Sequence, residues 1–311
     1  MMSVMSLMFT YISVILAVAF FTLLERKSLS YIQVRKGPNK VGLAGFPQPM
    51  ADALKLLSKE SVLPNVSNSL IFLIAPVFSF FLAMMLWQLY PMLLETSLFS
   101  WGVLFFLCVT AMNVYGTLLA GWSSNSKYAL LGALRGVAQT ISYEVSMALV
   151  LLFPLFISSS MSFLSIMENQ NKCWITFLMV PMFFVWLLTC VAETNRAPLD
   201  FAEGESELVS GFNIEYGGTG FALIFLAEYA NILLMSLLSS ILFLGGPFIL
   251  GVKSSSLVVL KILLVSFMFI WARGSYPRLR YDLLMDLTWK GFLPFGLSML
   301  LLLVSVLSIL E

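Results

Sequence analysis

Long apolar runs separated by shorter polar segments dominate the chain. A bilayer core about 30 Å thick needs roughly 20 mainly apolar residues per helical span. Eight runs reach that length and predict membrane-spanning helices at about residues 2–24, 69–90, 98–120, 137–157, 173–192, 220–244, 256–272 and 292–310. The first run is too long for the core of a signal peptide and has no basic start, so it is expected to remain as a span.

The segment 49–59, between the first two runs, has a helical pattern of another kind. Its apolar residues recur at i, i+3, i+4 and i+7 on one face, at Met50, Ala53, Leu54 and Leu57. This spacing predicts an amphipathic helix lying at the membrane interface. A short solvated helix that packs on the loops is the alternative. The predicted fold is one all-α integral membrane domain over residues 1–311.

Basic residues divide unevenly between the two sides that eight spans create. Most of the 17 lie on the side opposite the termini, namely Arg26, Lys27, Arg35, Lys36, Lys40, Lys55, Lys59, Lys127, Arg135, Arg196, Arg273, Arg278, Arg280 and Lys290. The positive-inside rule assigns that side to the cytoplasm or matrix. Both termini are therefore expected to face the opposite compartment.

Composition narrows the chemistry that this chain can perform. With 60% apolar and 11% charged residues and a net charge of +1, it is no soluble domain and offers no electrostatic case for nucleic acid. There is no histidine, and the three cysteines have no CxxC spacing. We therefore expect no metal site, haem or iron–sulfur cluster built by this chain alone. The side chains that remain available for chemistry are carboxylates, tyrosines and basic groups.

Two glutamates fall inside predicted spans, Glu144 in the fourth and Glu228 in the sixth. From the helical rise, both lie roughly 12–16 Å below the basic-side boundary, close to the middle of the bilayer. Carboxyls at that depth usually face a bundle interior or a wet cavity and can take up and release protons. A protonated glutamate that only hydrogen-bonds between helices is the alternative. Each has a tyrosine beside it, Tyr143 and Tyr229, but neighbours on a helix point about 100° apart.

The loop 193–216 is unusually acidic and has one base, Arg196. Its acids are Glu193, Asp200, Glu203, Glu205, Glu207 and Glu215. Apolar residues alternate with them, at Phe201, Leu208, Val209 and Phe212, and predict partial burial rather than a solvated loop. We expect a buried acidic funnel that leads to Glu144 and Glu228. The GxxxG spacing at Gly132–Gly136 falls in a predicted polar loop and is given no role.

Several long motifs resemble one family along the whole chain. They are ERK at 25–27, RKGPNKVG at 35–42, GWSSNSKYALLGALR at 121–135, AQTISYE at 138–144, AETNRAPLDFAEGESELVSGFNIEY at 192–216, AEYANILLMS at 227–236 and RGSYPRLRYD at 273–282. The chain resembles the subunit 1 family of NADH:ubiquinone oxidoreductase, respiratory complex I, in its mitochondrially encoded form. Leu199 departs from that family, which often has an aromatic residue there.

The resemblance implies a multi-pass subunit of the mitochondrial inner membrane with charged loops in the matrix. Its partners would be other complex I subunits, of the membrane arm and of the quinone-reducing hydrophilic arm, together with membrane lipid. Ubiquinone would be its bound substrate, while NADH, flavin mononucleotide and iron–sulfur clusters would belong to partner subunits. No catalytic residue is expected in this chain itself.

The resemblance also implies two sets of site residues. The ubiquinone tunnel would be lined by Arg26, Arg35, Asp52, Ala53, Arg135, Arg196, Phe221, Phe225, Arg273 and Arg278. The proton path would use Glu144, Glu193, Asp200, Glu203, Glu205, Glu207, Glu215 and Glu228. Two other readings stay open, a stand-alone ion or proton transporter and the membrane anchor of a related hydrogenase complex.

Overall fold

A computed structural model describes residues 2–90, 99–171, 173–204, 207, 209–249 and 252–310. The predicted Glu205 and Leu208 therefore lie outside the described residues. The helices are α1 (Met2–Ile32), α2 (Gln48–Ser58), α3 (Ser69–Leu86), α4 (Gly102–Ser123), α5 (Lys127–Ser158), α6 (Phe163–Asn169), α7 (Ile175–Leu178), α8 (Val180–Glu193), α9 (Gly218–Leu242), α10 (Ser255–Ser275), α11 (Tyr281–Asp286) and α12 (Leu293–Leu310).

Shorter elements join these helices. Single 3₁₀ turns form at Trp87–Leu89 and Gly211–Asn213, and a π-helical segment at Leu287–Phe292 connects α11 to α12. Strands β1 (Phe248–Ile249) and β2 (Val252–Lys253) pair in the antiparallel direction. The predicted all-α membrane class is confirmed.

Seven of the eight predicted spans correspond to described helices that are long and apolar enough to cross a membrane. The fifth, at 173–192, is divided between α7 and the 14-residue α8. Pro181 stands in the first turn of α8, where the N–H that proline lacks has no helical partner in any case. The count of eight spans therefore remains a prediction.

Helix α9 lies at the centre of the bundle. It packs against α1, α3 and α10 and also contacts α2, α6 and α8. Most of its side chains from Ala227 to Leu242 are buried. Without a hydrophobic force between helices in lipid, such contacts depend on close packing and on polar bonds. The helix that carries Glu228 is therefore held on several sides.

The C-terminal end of α9 is capped by side chains from other elements. Gln170 donates from Nε2 to the carbonyl oxygens of Ile241 and Leu242, at 2.9 and 3.0 Å. Lys261 of α10 donates from Nζ to three more, on Leu244, Gly246 and Phe248, at 2.5 to 2.8 Å. The bonds from Gln170 satisfy carbonyls that a helix end leaves without partners, and those from Lys261 hold the segment that follows the helix.

The predicted amphipathic helix is present as α2. Its apolar face is not covered by the described part of the chain, since Leu54 and Leu57 are 68% and 62% exposed. Pro49 is buried and helps hold the helix to the bundle, where α2 packs against α1 and α9. An unpartnered apolar face beside a membrane bundle suits lipid or an apolar ligand.

The expectation that the GxxxG pair has no role is wrong. Gly132 and Gly136 lie inside α5, not in a polar loop. A Cβ on Gly132 would stand 2.8 Å from Cα of Gly211, and one on Gly136 would stand 3.0 Å from Cβ of Ala202. The acidic loop therefore lies directly on this small-residue face of α5, because only glycine permits so close an approach.

Candidate functional site

The loop between α8 and α9 folds back onto the bundle and is partly buried. Phe201 and Phe212 are 5% and 3% exposed, in agreement with the predicted burial, whereas Val209 is 67% exposed and that part of the prediction is wrong. Gln139 of α5 holds the loop through bonds from Nε2 to the carbonyls of Ala192 and Leu199, at 3.0 and 2.7 Å. The start of the loop is thus fixed against α5.

Arg196 lies at the centre of the charged residues in this loop. One of its terminal nitrogens is 3.6 Å from a carboxyl oxygen of Glu228, and both side chains are mostly buried. Its guanidinium carbon lies 4.2 Å from the ring centroid of Tyr229, a cation–π distance. Burial disfavours the cation, but the charges of Glu228 and other nearby acids outweigh it, so the pKa of Arg196 lies above its usual range. Arg196 therefore stays charged.

Two further loop acids lie next to this group. Asp200 is 3.6 Å from Arg278, and its Oδ1 accepts a bond from the backbone N–H of Glu203 at 3.2 Å. Glu203 accepts a hydrogen bond from the side-chain amide of Asn213. Burial raises the pKa of both carboxyls, with Asp200 adding to the effect on Glu203 and the nearby arginines opposing it. Both groups are therefore inclined to hold a proton at higher pH than free carboxyls.

Glu144 and Glu193 form a separate acidic pair. Glu193 ends α8 and is 9% exposed, and Glu144 lies on α5, which packs against α8. The negative charge of Glu144 acts on Glu193 by repulsion. Among the described residues neither carboxylate makes an ion pair. This pair therefore differs from Glu228, which has Arg196 beside it.

A polar cavity of about 40 Å³ lies between α3, α4, α9 and the end of α8. It is lined by Glu193 and Glu228 together with the side chains of Asn113, Asn195 and Asn231. A volume of this size has room for about two water molecules. The cavity therefore links the two acidic groups across a space suited to water.

The predicted tunnel residues divide into two places. Arg26 pairs with Asp52 of α2 at 2.7 Å, and Gln48 donates to the same carboxylate at 3.0 Å. Phe221 and Phe225 lie one helical turn apart on α9, with ring centroids 5.2 Å apart. Arg196 lies 5.7 Å from the Phe225 ring, so the aromatic pair reaches the charged centre.

The remaining predicted residues are more peripheral. Arg135 pairs with Glu207 at the exposed rim of the loop. Arg35 and Ala53 are exposed, on the α1–α2 loop and on α2. Glu215 is half-buried just before α9 and joins no ion pair among the described residues.

Comparison with known proteins places the chain in a family. A family model described as NADH dehydrogenase matches residues 5–304. The chain belongs to this NADH dehydrogenase family. It is similar to the NADH-ubiquinone oxidoreductase chain 1 of Heterololigo bleekeri, with 56% identity over 297 residues that cover 96% of this chain and 95% of that protein. The Aedes aegypti protein of the same name is 52% identical over 306 residues, covering 98% and 96%.

A third relative with the same name is also similar to this chain over most of its length. The NADH-ubiquinone oxidoreductase chain 1 of Myrmecophaga tridactyla is 50% identical over 293 residues, covering 93% of this chain and 92% of that protein. The resemblance inferred from the motifs is thus confirmed at the level of the family.

Two residues of the site were absent from the predicted sets, Glu25 and Tyr229. Glu25, at the end of the first apolar run, is 6% exposed and accepts hydrogen bonds from Arg273 and from the hydroxyl of Tyr229. The signal was present in the sequence, because an acid followed at once by two bases marks the boundary of a span. What the sequence could not reveal is that three distant helices, α1, α9 and α10, meet there. No group of three potential metal ligands occurs among the described residues.

Proposed function

We propose that this chain is a core membrane-arm subunit of a proton-translocating NADH:ubiquinone oxidoreductase. In this role it forms much of the ubiquinone tunnel and the first acidic segment of the proton path. It binds ubiquinone as substrate and holds no redox centre, so NADH, flavin and iron–sulfur clusters belong to partner subunits of the hydrophilic arm. It is inactive as an enzyme by itself.

The observation that carries the proposal is the pairing of tunnel cations with path acids. Three of the ion pairs join a residue predicted for the tunnel to one predicted for the proton path, namely Arg196–Glu228, Arg278–Asp200 and Arg135–Glu207. A change of charge in a quinone chamber next to Arg196 acts directly on Glu228, because both side chains are mostly buried and buried charges are weakly screened. The two predicted sets are therefore in electrostatic contact.

The entrance for an isoprenoid substrate is assigned to α2 and the start of α9. The exposed apolar face of α2 and the Phe221–Phe225 pair offer a lipid-side surface beside the charged centre. The proposed location is the mitochondrial inner membrane, with the termini in the intermembrane space and the charged loops in the matrix. The partners follow from that placement, with lipid around the bundle and other complex I subunits at the loops.

The proton path is tested by Glu144→Gln and Glu228→Gln in the assembled complex, reconstituted in vesicles. Each variant keeps the shape of the side chain and removes its exchangeable charge. Proton uptake during NADH oxidation is expected to fall at least about tenfold in both. Glu168→Gln, an exposed acid on the loop side opposite to the basic residues, is the matched control and is expected to keep the full rate. Full proton uptake by both span variants would overturn the proton-path assignment.

The tunnel is tested by photolabelling the active complex with a quinone analogue. Labels are expected on α2 near Ala53 and on α9 near Phe225, and are expected to be displaced by excess ubiquinone. Leu301 on α12, an exposed apolar residue of the same bundle, is the control for random labelling from lipid. Labelling only at the control position would exclude the quinone site and favour a hydrogenase anchor. Proton transport by the purified chain alone would favour a stand-alone transporter.

A further inference from the structure

The tunnel cations and the path acids are also connected through two residues that belong to neither predicted set. Arg273 of α10 donates to Glu25 of α1, and Glu25 accepts the hydroxyl of Tyr229 of α9. Glu25 and Tyr229 are 6% and 4% exposed, so both groups are screened from solvent by the bundle. We call these two residues the bridge. Three helices meet at it.

The bridge reaches Glu228 through Arg196. The ring of Tyr229 faces the Arg196 guanidinium at 4.2 Å, while the hydroxyl of the same side chain is bonded to Glu25. Arg196 in turn lies 3.6 Å from Glu228. The charge of Glu25 also acts on Arg196 directly. A continuous series of contacts therefore runs from Arg273 to Glu228.

The position of Arg196 depends strongly on Tyr229. Two buried nitrogens of Arg196, Nε and one terminal nitrogen, have no hydrogen-bond partner among the described residues, and the distance from Arg196 to Glu228 is too long for a strong hydrogen bond. An aromatic face close to a desolvated guanidinium is a substantial attraction under those conditions. The ring itself is fixed by Phe21 and Phe225, at centroid distances of 5.9 and 4.9 Å.

We propose that Glu25 and Tyr229 are positioning residues that transmit a change of charge at Arg273 to the Arg196–Glu228 pair. The inference rests on the proposed function, in which Arg273 borders the quinone chamber and Glu228 belongs to the proton path. A negatively charged group that approaches Arg273 competes with Glu25 for the positive charge of this arginine. The attraction between Arg273 and Glu25 then becomes weaker. Glu25 then attracts the Tyr229 hydroxyl and Arg196 more strongly, which weakens the hold of Arg196 on Glu228.

The test uses Tyr229→Phe, Glu25→Gln and the double variant in the assembled complex. Tyr229→Phe removes one oxygen and keeps the ring that faces Arg196. Coupled proton uptake per NADH oxidised is expected to fall about tenfold, the factor that corresponds to losing a hydrogen bond to a charged group. Because the two residues act through one contact, the double variant is expected to match the more severe single variant rather than show the product of both effects.

Tyr11→Phe is the matched control. The Tyr11 hydroxyl accepts a bond from Gln88 at 2.7 Å, between α1 and the 3₁₀ turn that follows α3, so this variant also removes one long-range tyrosine bond but no bond to a charge. Its proton uptake per NADH is expected to equal that of the wild type. Native gels show whether each variant complex is intact, so that the ratio is measured on assembled enzyme.

The outcomes separate this inference from the proposed function. If Glu228→Gln loses proton uptake while Tyr229→Phe keeps the wild-type ratio, the bridge is overturned and the proton path stands. If Tyr229→Phe and Glu25→Gln show independent, multiplying effects, the bridge is likewise overturned. If Glu228→Gln itself takes up protons at the wild-type ratio, the proposed proton path is overturned, together with the bridge that rests on it.

Discussion

Glu228 and Glu144 look alike in the sequence and differ sharply in their surroundings. Both lie in apolar helices at similar predicted depth, and each has a tyrosine next to it. Glu228 faces a cation, with Arg196 at 3.6 Å, and lies within electrostatic reach of Glu203. Glu144 faces another acid, Glu193, and has no ion pair among the described residues.

The neighbouring tyrosines differ in the same way. The hydroxyl of Tyr229 is bonded to Glu25, whereas the hydroxyl of Tyr143 is buried and has no hydrogen-bond partner in the part of the chain that the structure describes. A nearby cation favours the charged form of a carboxyl and a nearby acid disfavours it, so Arg196 beside Glu228 and Glu193 near Glu144 act in opposite directions.

The strongest way to test this difference is to remove the cation. Arg196→Met leaves Glu228 buried without its partner, and breaking a buried pair in this way costs about 3–5 kcal/mol. Hydrogen–deuterium exchange of the peptide 218–232 in the intact complex is expected to rise steeply. Glu144 has no cation partner among the described residues, so in Glu144→Gln the exchange of α5 is expected to stay constant or to slow.

The control for this prediction is the double variant Arg196→Met with Glu228→Gln. Because it also removes the stranded charge, most of the lost protection is expected to return. If the double variant exchanges as fast as Arg196→Met alone, the ion pair is not what holds this part of α9, and the contrast with Glu144 would lose its basis.

The two sites also show which features of the fold could be predicted from the sequence. Apolar runs located seven of the described spans, and the i, i+3, i+4, i+7 pattern located α2, because burial and amphipathicity are local properties. The fifth span was drawn through Pro181, and α5 was started about ten residues late because its first turns are too polar for a hydropathy reading.

Contacts between segments that are distant in the chain could not be predicted from the sequence. Arg196 and Glu228 are separated by the acidic loop, and Glu25 reaches Tyr229 from the other end of the chain. Only the three-dimensional packing decides which acid receives the cation. The motifs identified the right residues because they belong to a family, but no motif specifies that Glu228 is paired and Glu144 is not.

A second, smaller effect tests how the acidic loop supplies its charges to Glu228. Gly132→Ala places a methyl group 2.8 Å from Cα of Gly211, and this backbone has little room to move. Overpacking of this kind costs about 1–3 kcal/mol. The loop 200–213 is expected to detach more often, and its cleavage by protease on the basic side is expected to be faster.

Gly136→Ala is the matched control for the loop contact, since its new methyl group would meet the Cβ of Ala202 at 3.0 Å rather than a backbone atom. It is expected to have the weaker effect. The loop carries Glu203 and Arg196, so Gly132→Ala is expected to weaken proton uptake through Glu228. Equal loop protection in Gly132→Ala and the wild type would show that the close approach is unimportant.

The smallest expected effect concerns pH and Glu203. Burial raises the pKa of Glu203, with Asp200 adding to the effect, so the docked loop binds more protons than the detached loop between the two pKa values. Stability of docking therefore falls as pH rises through that window, by at most about 1.4 kcal/mol per pH unit for one proton. Glu203→Gln keeps an oxygen that can accept from Asn213 and removes the titrating proton. Exchange of residues 200–213 measured from pH 5 to pH 9 is expected to show a flatter dependence in this variant, whereas Glu168→Gln, on the opposite side, keeps the wild-type slope. An unchanged slope in Glu203→Gln would mean that Glu203 does not hold a proton when the loop is docked.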